Sequence, residues 1–337
     1  MFWLYVGIMR AVLATGIGGP EVLFPADVPD PVPGDGEVLI DVAAAGVNRA
    51  DLLQLKGHHP PPPGAPDWPG LEVSGTIAAL GPRVSGWSVG DRVCALLDGG
   101  GYASKAVAPA AFLLPVPAEL DLVDAAGLPE AICTVWSNLA GVAGLTPESA
   151  AGSTVLVHGG SGGVGTTSIL LLKALGARVL TTAGGPERVA RCVALGADVG
   201  IDHRTEDFAE VVDRVTDGAG VDLILDVIGA GYLERNLASL ATHGQLVIIS
   251  AQQGTKATLD IGRLMGRWAG VHGSLLRKRP RSEKVEIVAS VREQAWPLVA
   301  SGRVFPVVHE RLPLDRAADA HRLMADGAVF GKVLLVP

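Results

Sequence analysis

One stretch of the 337-residue chain concentrates the residue types that can hold a phosphate. It reads Val155-Leu156-Val157-His158-Gly159-Gly160-Ser161-Gly162-Gly163-Val164-Gly165. Gly160, Gly162 and Gly165 give the spacing G-x-G-x-x-G, with Ser161, Gly163 and Val164 between them. The setting gives that spacing its weight. An apolar run at 153–157 precedes it, and a helix predicted over 165–175 follows, closed by Gly176. Glycines permit a tight turn and a close approach of backbone to a pyrophosphate. The helix start adds unpaired N–H groups and the positive end of its dipole. These residues are the expected cradle of a dinucleotide.

The end of the next strand tells which dinucleotide. NAD enzymes place an Asp or Glu about 20 residues beyond the motif to hold the ribose 2′-hydroxyl. Here the strand ends Thr181-Thr182-Ala183-Gly184-Gly185, without an acid. Arg188 follows, and His203-Arg204 comes after the third strand; Glu187 lies past the strand end. A cationic pocket without a carboxylate suits a 2′-phosphate, hence NADPH. The alternative is Arg188 as a solvated residue of the following helix. Other chemistries drop out. The three tyrosines Tyr5, Tyr102 and Tyr232 have Met9, Ala106 and Asn236 four residues on, so no Tyr-x-x-x-Lys dyad exists. No G-x-S-x-G elbow and no HExxH occur. His58-His59 lacks a Cys or acid at ligand spacing and reads as a solvated or substrate-facing pair.

Elements that would position these residues follow from periodicity. Runs at 9–15, 37–43, 71–80 and 91–97 are short, β-branched and bounded by Gly, Pro and Asp, with helical spacing only near 48–56; they predict a small barrel. The tract His58-His59-Pro60-Pro61-Pro62-Pro63-Gly64 is a stiff loop or the rim of a cleft. From 153 onward the pattern changes. Apolar strand runs at 153–157, 177–182, 199–202, 221–228 and 245–250 alternate with helical stretches, among them 165–175 and 186–195. That alternation predicts a parallel sheet covered on both faces. The tail offers a helix at 282–301 and strands at 304–308 and 331–336 around a helix at 315–326. It is expected to complete the small β domain, whose sequence the α/β unit interrupts.

Composition narrows the partners. A net charge of −8 and only 18% charged residues make a poor polyanion binder, so nucleic acid is not expected. The 44 glycines and 23 prolines are spread without repeats, which means many tight turns in an ordered protein. Cys94, Cys133 and Cys192 are odd in number and form no CxxC pair. Neither a four-thiolate zinc site nor a disulfide framework is expected, and a reducing cytoplasm fits. The first eight residues are apolar but lack a basic n-region and a cleavage site, so neither signal peptide nor anchor is expected; Met9 is a possible natural start. No apolar run reaches the roughly 18 residues of a membrane span.

Further motifs carry a family resemblance from Met9 to the C-terminus. They are Gly34-Asp35-Gly36-Glu37-Val38-Leu39-Ile40, Gly46-Val47-Asn48-Arg49-Ala50-Asp51, Pro69-Gly70-Leu71-Glu72-Val73-Ser74-Gly75, Gly90-Asp91-Arg92-Val93, Gly101-Tyr102-Ala103 and Gly331-Lys332-Val333-Leu334-Leu335. With the glycine motif they resemble the medium-chain dehydrogenase/reductase superfamily, and most of all its zinc-free, zeta-crystallin-like quinone oxidoreductases. The run from Asn48 to Leu52 with Pro61-Pro62-Pro63-Gly64-Ala65 is similar to the p53-inducible branch.

The resemblance implies a GroES-like β-barrel substrate domain at 1–126 and 284–337, and a doubly wound Rossmann domain at 127–283. It implies NADPH in a cleft between them, with hydride passing to a quinone or activated alkene. Zinc alcohol dehydrogenases of the superfamily carry a ligand Cys where this chain has Asn48, and Gly-His-Glu where it has Gly70-Leu71-Glu72. No metal is therefore expected. By resemblance Asn48 faces the nicotinamide and Thr134 lies beside it, both as orienting hydrogen-bonders. Arg188 and His203 hold the 2′-phosphate, and Ser250, Gln253, Ser274, Leu276 and Lys332 are weaker cofactor matches. Relatives have a Tyr near Leu53 or His59; this chain has none between Asn48 and Trp68, which leaves the substrate open. No strong general acid stands out. An enone or enoyl reductase, or a crystallin-like cofactor binder without turnover, are the alternatives. A homodimer is implied, through a strand near 270–275 flanked by Arg277-Lys278-Arg279.

Overall fold

The structure, a computed structural model, describes residues 7–337. The reading of the apolar start lies, for residues 1–6, outside the described residues. The chain opens with β1 (Ile8–Ala14), β2 (Leu23–Pro29), β3 (Glu37–Gly46), α1 (Arg49–Leu55), β4 (Glu72–Leu80), β5 (Arg92–Leu96), β6 (Lys105–Pro109) and β7 (Leu113–Pro115). Helix α2 (Pro129–Trp136) then carries it from one compact unit into another, the change falling between Cys133 and Thr134. No Gly or Pro marks that boundary because it lies inside a helix.

The second unit holds a π-helical turn (Ser137–Val142), α3 (Pro147–Ala150), β8 (Thr154–His158), α4 (Gly163–Ala174), β9 (Arg178–Ala183), α5 (Pro186–Ala194), β10 (Val199–Asp202) and α6 (Phe208–Val215). It continues through β11 (Val221–Asp226), α7 (Leu233–Ser239), β12 (Leu240–Ile248), α8 (Ile261–Arg267) and β13 (Gly270–Gly273). The chain returns to the first unit at Pro280 with α9 (Arg281–Ser290), a π-helical stretch (Val291–Ala295) and α10 (Trp296–Ala300). Residues Ser301–Phe305 group with the second unit, and β14 (Val308–Pro313), α11 (Ala317–Ala325) and β15 (Lys332–Val336) complete the first.

In the first unit β3 alternates, with Val38, Ile40 and Val42 turned into a core that also takes Ile77, Val93, Leu113 and Val333. The sheet runs β14-β15-β3-β4-β5-β7, with β6 also on β3, and β1 and β2 form a separate antiparallel pair. In the second unit β10-β9-β8-β11-β12-β13 form one parallel sheet. Its strands are apolar on both faces: Val155, Leu156, Val157, Ile224 and Leu246 are all buried. Strand order reverses between β8 and β11, and ligands of such sheets bind at the carboxyl ends beside that switch.

One expected strand is absent, and strand β2 was not expected. The apolar run at 304–308 is not a strand; β14 starts at Val308 and shows solvent His309, Glu310 and Arg311. Pro306 cannot donate to a ladder, and an edge strand needs only one apolar face. Strand β2, with Pro25 and Pro29, was hidden by those prolines, which only an edge pairing tolerates.

Candidate cofactor and substrate sites

In the second unit β8 ends at His158 and the chain turns through Gly159 (φ +71°) into α4. The Gly160 amide donates to the Thr182 carbonyl at 2.9 Å and the Gly162 amide to the Gly159 carbonyl at 3.0 Å, so the loop is tied to β9 and to itself. A Cβ on Gly165 would stand 2.2 Å from the Gly159 oxygen, and one on Gly160 2.1 Å from Thr181 Oγ1. These two positions tolerate only glycine because helix, loop and strand meet there. Ser161, Gly163 and Val164 stay half-buried and Gly162 exposed at the helix start, where the first turn's amides have no intrahelical partner.

A buried network braces the strand ends below the loop. His158 Nδ1 meets Thr182 Oγ1 at 3.0 Å, and its Nε2 meets Asn236 Oδ1 at 2.7 Å. Asn236 Nδ2 donates to Asp226 Oδ2 at 3.2 Å, and Asp226 also accepts the Ile228 and Gly229 amides. Burial holds the His158 pKa down at about 4 and pushes Asp226 up to about 6. The neutral imidazole therefore donates from Nε2 to the Asn236 oxygen, and its role is structural. Sequence reasoning missed this network because its members lie 24 and 78 residues from His158.

At the end of β9 the structure gathers cations. A Cβ on Gly184 would lie 3.1 Å from Arg204 Nε and 3.2 Å from His203 Nε2, and one on Gly185 3.4 Å from Arg204 Nη1. Asp202 Oδ1 accepts from the Gly185 amide at 2.8 Å and the Arg204 amide at 3.1 Å, which holds its carboxyl below the usual range. Asp202 thereby pins the turn that carries His203 and Arg204, both exposed. Arg188 is half-buried on the first turn of α5. The other expected positions are spread over β12 and β13. Ser250 and Gln253 follow β12, with the Gln253 amide on the Ile228 carbonyl at 2.8 Å. The Ser274 amide donates to the Ile248 carbonyl, its Oγ is buried without a partner, and Leu276 is buried beyond it. Thr134 is buried on α2, its carbonyl accepting from Ser137 Oγ and Asn138 Nδ2. Glycine cradle, exposed cations at a Gly-Gly turn and an orphaned hydroxyl together fit a dinucleotide that bears a 2′-phosphate.

In the first unit the register of β15 on β3 brings distant residues together. Leu334 faces Gly46, and the Val47 amide donates to the Val333 carbonyl at 3.0 Å. Lys332 is thereby set beside Asn48, and its Nζ donates to Asn48 Oδ1 at 2.6 Å and to Glu72 Oε1 at 2.5 Å. Asn48 Nδ2 donates to Glu72 Oε1 at 2.8 Å and to the Gly46 carbonyl at 3.4 Å. Glu72 Oε2 accepts the Glu130 amide at 2.8 Å. A Cβ on Gly46 would meet Glu72 Oε1 at 2.3 Å, so glycine makes room for the carboxylate. Next to this cluster Asp51 accepts from the Asn48 amide, the Gly70 amide and the Tyr102 hydroxyl, which also meets His321 Nε2 at 3.0 Å. Among the described residues no three His, Cys, Asp or Glu side chains are grouped to hold a metal ion.

The chain is similar to known proteins over nearly its whole length. Residues 34–118 match the alcohol dehydrogenase GroES-like domain family, and residues 195–335 the family described as zinc-binding dehydrogenase. The quinone oxidoreductase of Lama guanicoe is 32% identical over 98% of both chains. The chain belongs to the medium-chain dehydrogenase/reductase superfamily. Other members confirm the assignment over the same length. The human quinone oxidoreductase is 30% identical over 98% of both chains, and a 2-haloacrylate reductase of Burkholderia sp is 32% identical over 98% of this chain and 99% of its own. A mycobacterial protein solved in complex with NADPH is 34% identical, with a TM-score of 0.84, covering 98% of this chain and 100% of that one. The Escherichia coli quinone oxidoreductase solved with NADPH is 27% identical with a TM-score of 0.84, over 97% and 100% of the two chains. The first unit is accordingly the superfamily's GroES-like domain and the second its Rossmann domain. The protein is an oxidoreductase of this superfamily.

Proposed function

We propose that the chain is a zinc-independent NADPH:quinone oxidoreductase of the cytoplasm. The observation that carries this reading is the state of the two positions where zinc enzymes hold their metal. One is Asn48, whose amide is committed to Lys332 and Glu72; the other is Leu71, an apolar side chain. Neither offers the thiolate or imidazole that Zn²⁺ takes. Three buried free cysteines fit a reducing compartment, and no helix among the described residues is long and apolar enough to cross a membrane.

Bound NADPH supplies a hydride from its C4 position. The chain's own residues bind and orient. The loop from Gly160 to Gly165 takes the pyrophosphate, and His203, Arg204 and Arg188 take the 2′-phosphate. Ser250, Gln253, Ser274 and Leu276 line the path of the remaining cofactor. Thr134 orients the nicotinamide end, and Asn48 holds Lys332 and Glu72 in place. The anion left when a quinone accepts hydride takes its one remaining proton from water, so a dedicated acid is not required. The 2-haloacrylate reductase relative supports a second reading, reduction of an activated alkene, which needs a proton at the α-carbon. We also propose a homodimer, supported by the position of β13 at the sheet edge.

NADPH oxidation with a panel of quinones and enones, with and without a chelator, tests the reading. Quinone turnover unaffected by chelator is expected. Turnover of enones alone points to the alkene reading, and loss of activity together with about one zinc per chain overturns the metal-free one.

A further inference from the structure

We propose that Lys332 is a catalytic residue whose ammonium binds the substrate's carbonyl oxygen, the position that a metal would otherwise polarise. The inference rests on the quinone reading above.

Asn48 is oriented by its neighbours, since an ammonium can only donate and must face Oδ1. Both hydrogens of Nδ2 are then spent on Glu72 Oε1 and the Gly46 carbonyl. Asn48 has no hydrogen left to offer an oxygen. Glu72 is an acceptor on both oxygens, holding Asn48, Lys332 and the Glu130 amide. Lys332 carries three hydrogens and uses two, on Asn48 and Glu72. The third is the one donor this cluster has left, and it is charged. The side chain is 4% exposed against 0% for Glu72, so the ammonium is held still rather than swinging in water. A donor fixed in advance in a dry setting stabilises charge that develops during a reaction without reorganising.

The step balances with one hydride donor of the dihydronicotinamide class. As hydride leaves the C–H bond of the donor and bonds to a ring carbon conjugated with the carbonyl, the C=C pair shifts and the carbonyl π pair moves onto oxygen as an enolate anion. The Lys332 hydrogen bond shortens to that oxygen; a proton from water then completes the hydroxyl, and enolisation through water restores the aromatic ring. The quinone gains two electrons, the dihydronicotinamide loses two, and Lys332 keeps its protons throughout.

Lys332→Met alone would strand the buried Glu72 carboxylate and threaten the fold. The double variant Glu72→Gln/Lys332→Met removes both charges, keeps the net charge and leaves no orphan ion. In that variant kcat with quinones should fall about 100- to 1000-fold, the usual cost of an oxyanion donor. The fall should be larger for electron-rich quinones, whose anions need more help, than for electron-poor ones. A second readout needs no turnover: 4-nitrophenolate, whose absorption separates anion from phenol, should bind wild type as the anion about 10-fold or more tighter than the variant. Equal binding of 4-nitrophenolate, or a fall in kcat of the same size for every quinone, overturns the inference. Tight anion binding by a wild type that reduces no quinone supports the Lys332 site and sinks the quinone reading instead.

Discussion

At the level of single residues, two guanidinium groups are candidates for the 2′-phosphate, and they are not equivalent. Arg188 is the choice by sequence position, on the first turn of the helix after the strand. Arg204 is the one whose Nε and Nη1 lie against Gly184 and Gly185, on a turn pinned by Asp202. A charged hydrogen bond contributes about 1.5–3 kcal/mol, and exposure pulls the value to the low end. Arg204→Ala should therefore weaken NADPH binding about 10-fold and leave NADH binding nearly unchanged, while Arg188→Ala does less. Dissociation constants of both cofactors for wild type and the two variants decide; equal losses for NADPH and NADH would remove Arg204 from the site.

Among elements, the chain Asp51–Tyr102–His321 joins α1, the loop before β6 and α11 through buried hydrogen bonds. The Tyr102 hydroxyl donates to Asp51, so His321 must donate from Nε2, and its Nδ1 is left buried without a partner. Burial pushes Asp51 up to about 6 and His321 down to about 4. The signs oppose. Asp51 takes up a proton more readily when folded, so its contribution is full below its unfolded pKa and is lost as pH rises through 6. His321 takes one up more readily when unfolded, so stability is lost as pH falls from its unfolded value of about 6.5 toward 4. Replacing the buried ring by a similar apolar volume removes only the second effect. Urea unfolding of His321→Leu should show stability rising relative to wild type between pH 7 and pH 4.5. Two parallel pH curves would mean that the ring titrates alike in both states.

For the molecule as a whole, the free edge of the parallel sheet bears on association. Strand β13 ends the parallel sheet, and Ile261, Met265, Trp268 and Leu275 around it are 47–71% exposed. An unpaired edge beside an apolar patch is a liability that a second copy removes. Light scattering at micromolar concentration should give twice the chain mass, and Met265→Glu with Trp268→Glu should halve it. A wild type that scatters as a monomer would end the proposal.

The sequence alone determined what local order encodes. The G-x-G-x-x-G loop, its strand and its helix are contiguous, so their period and glycine spacing are visible in the sequence, and the apolar run at 199–202 is β10, Val199–Asp202. The alternation of strand and helix also announced the parallel sheet. Only tertiary structure decided the cluster of the first unit. Lys332 lies 284 residues from Asn48 and 260 from Glu72, and no periodicity links them. They meet because β15 pairs with β3 in the one register that sets Leu334 against Gly46. A shift of a single residue would turn the lysine to the opposite face, since side chains alternate along a strand. Which hydrogen of a buried ammonium is left for a ligand is thus a property of sheet register, and register belongs to the folded molecule.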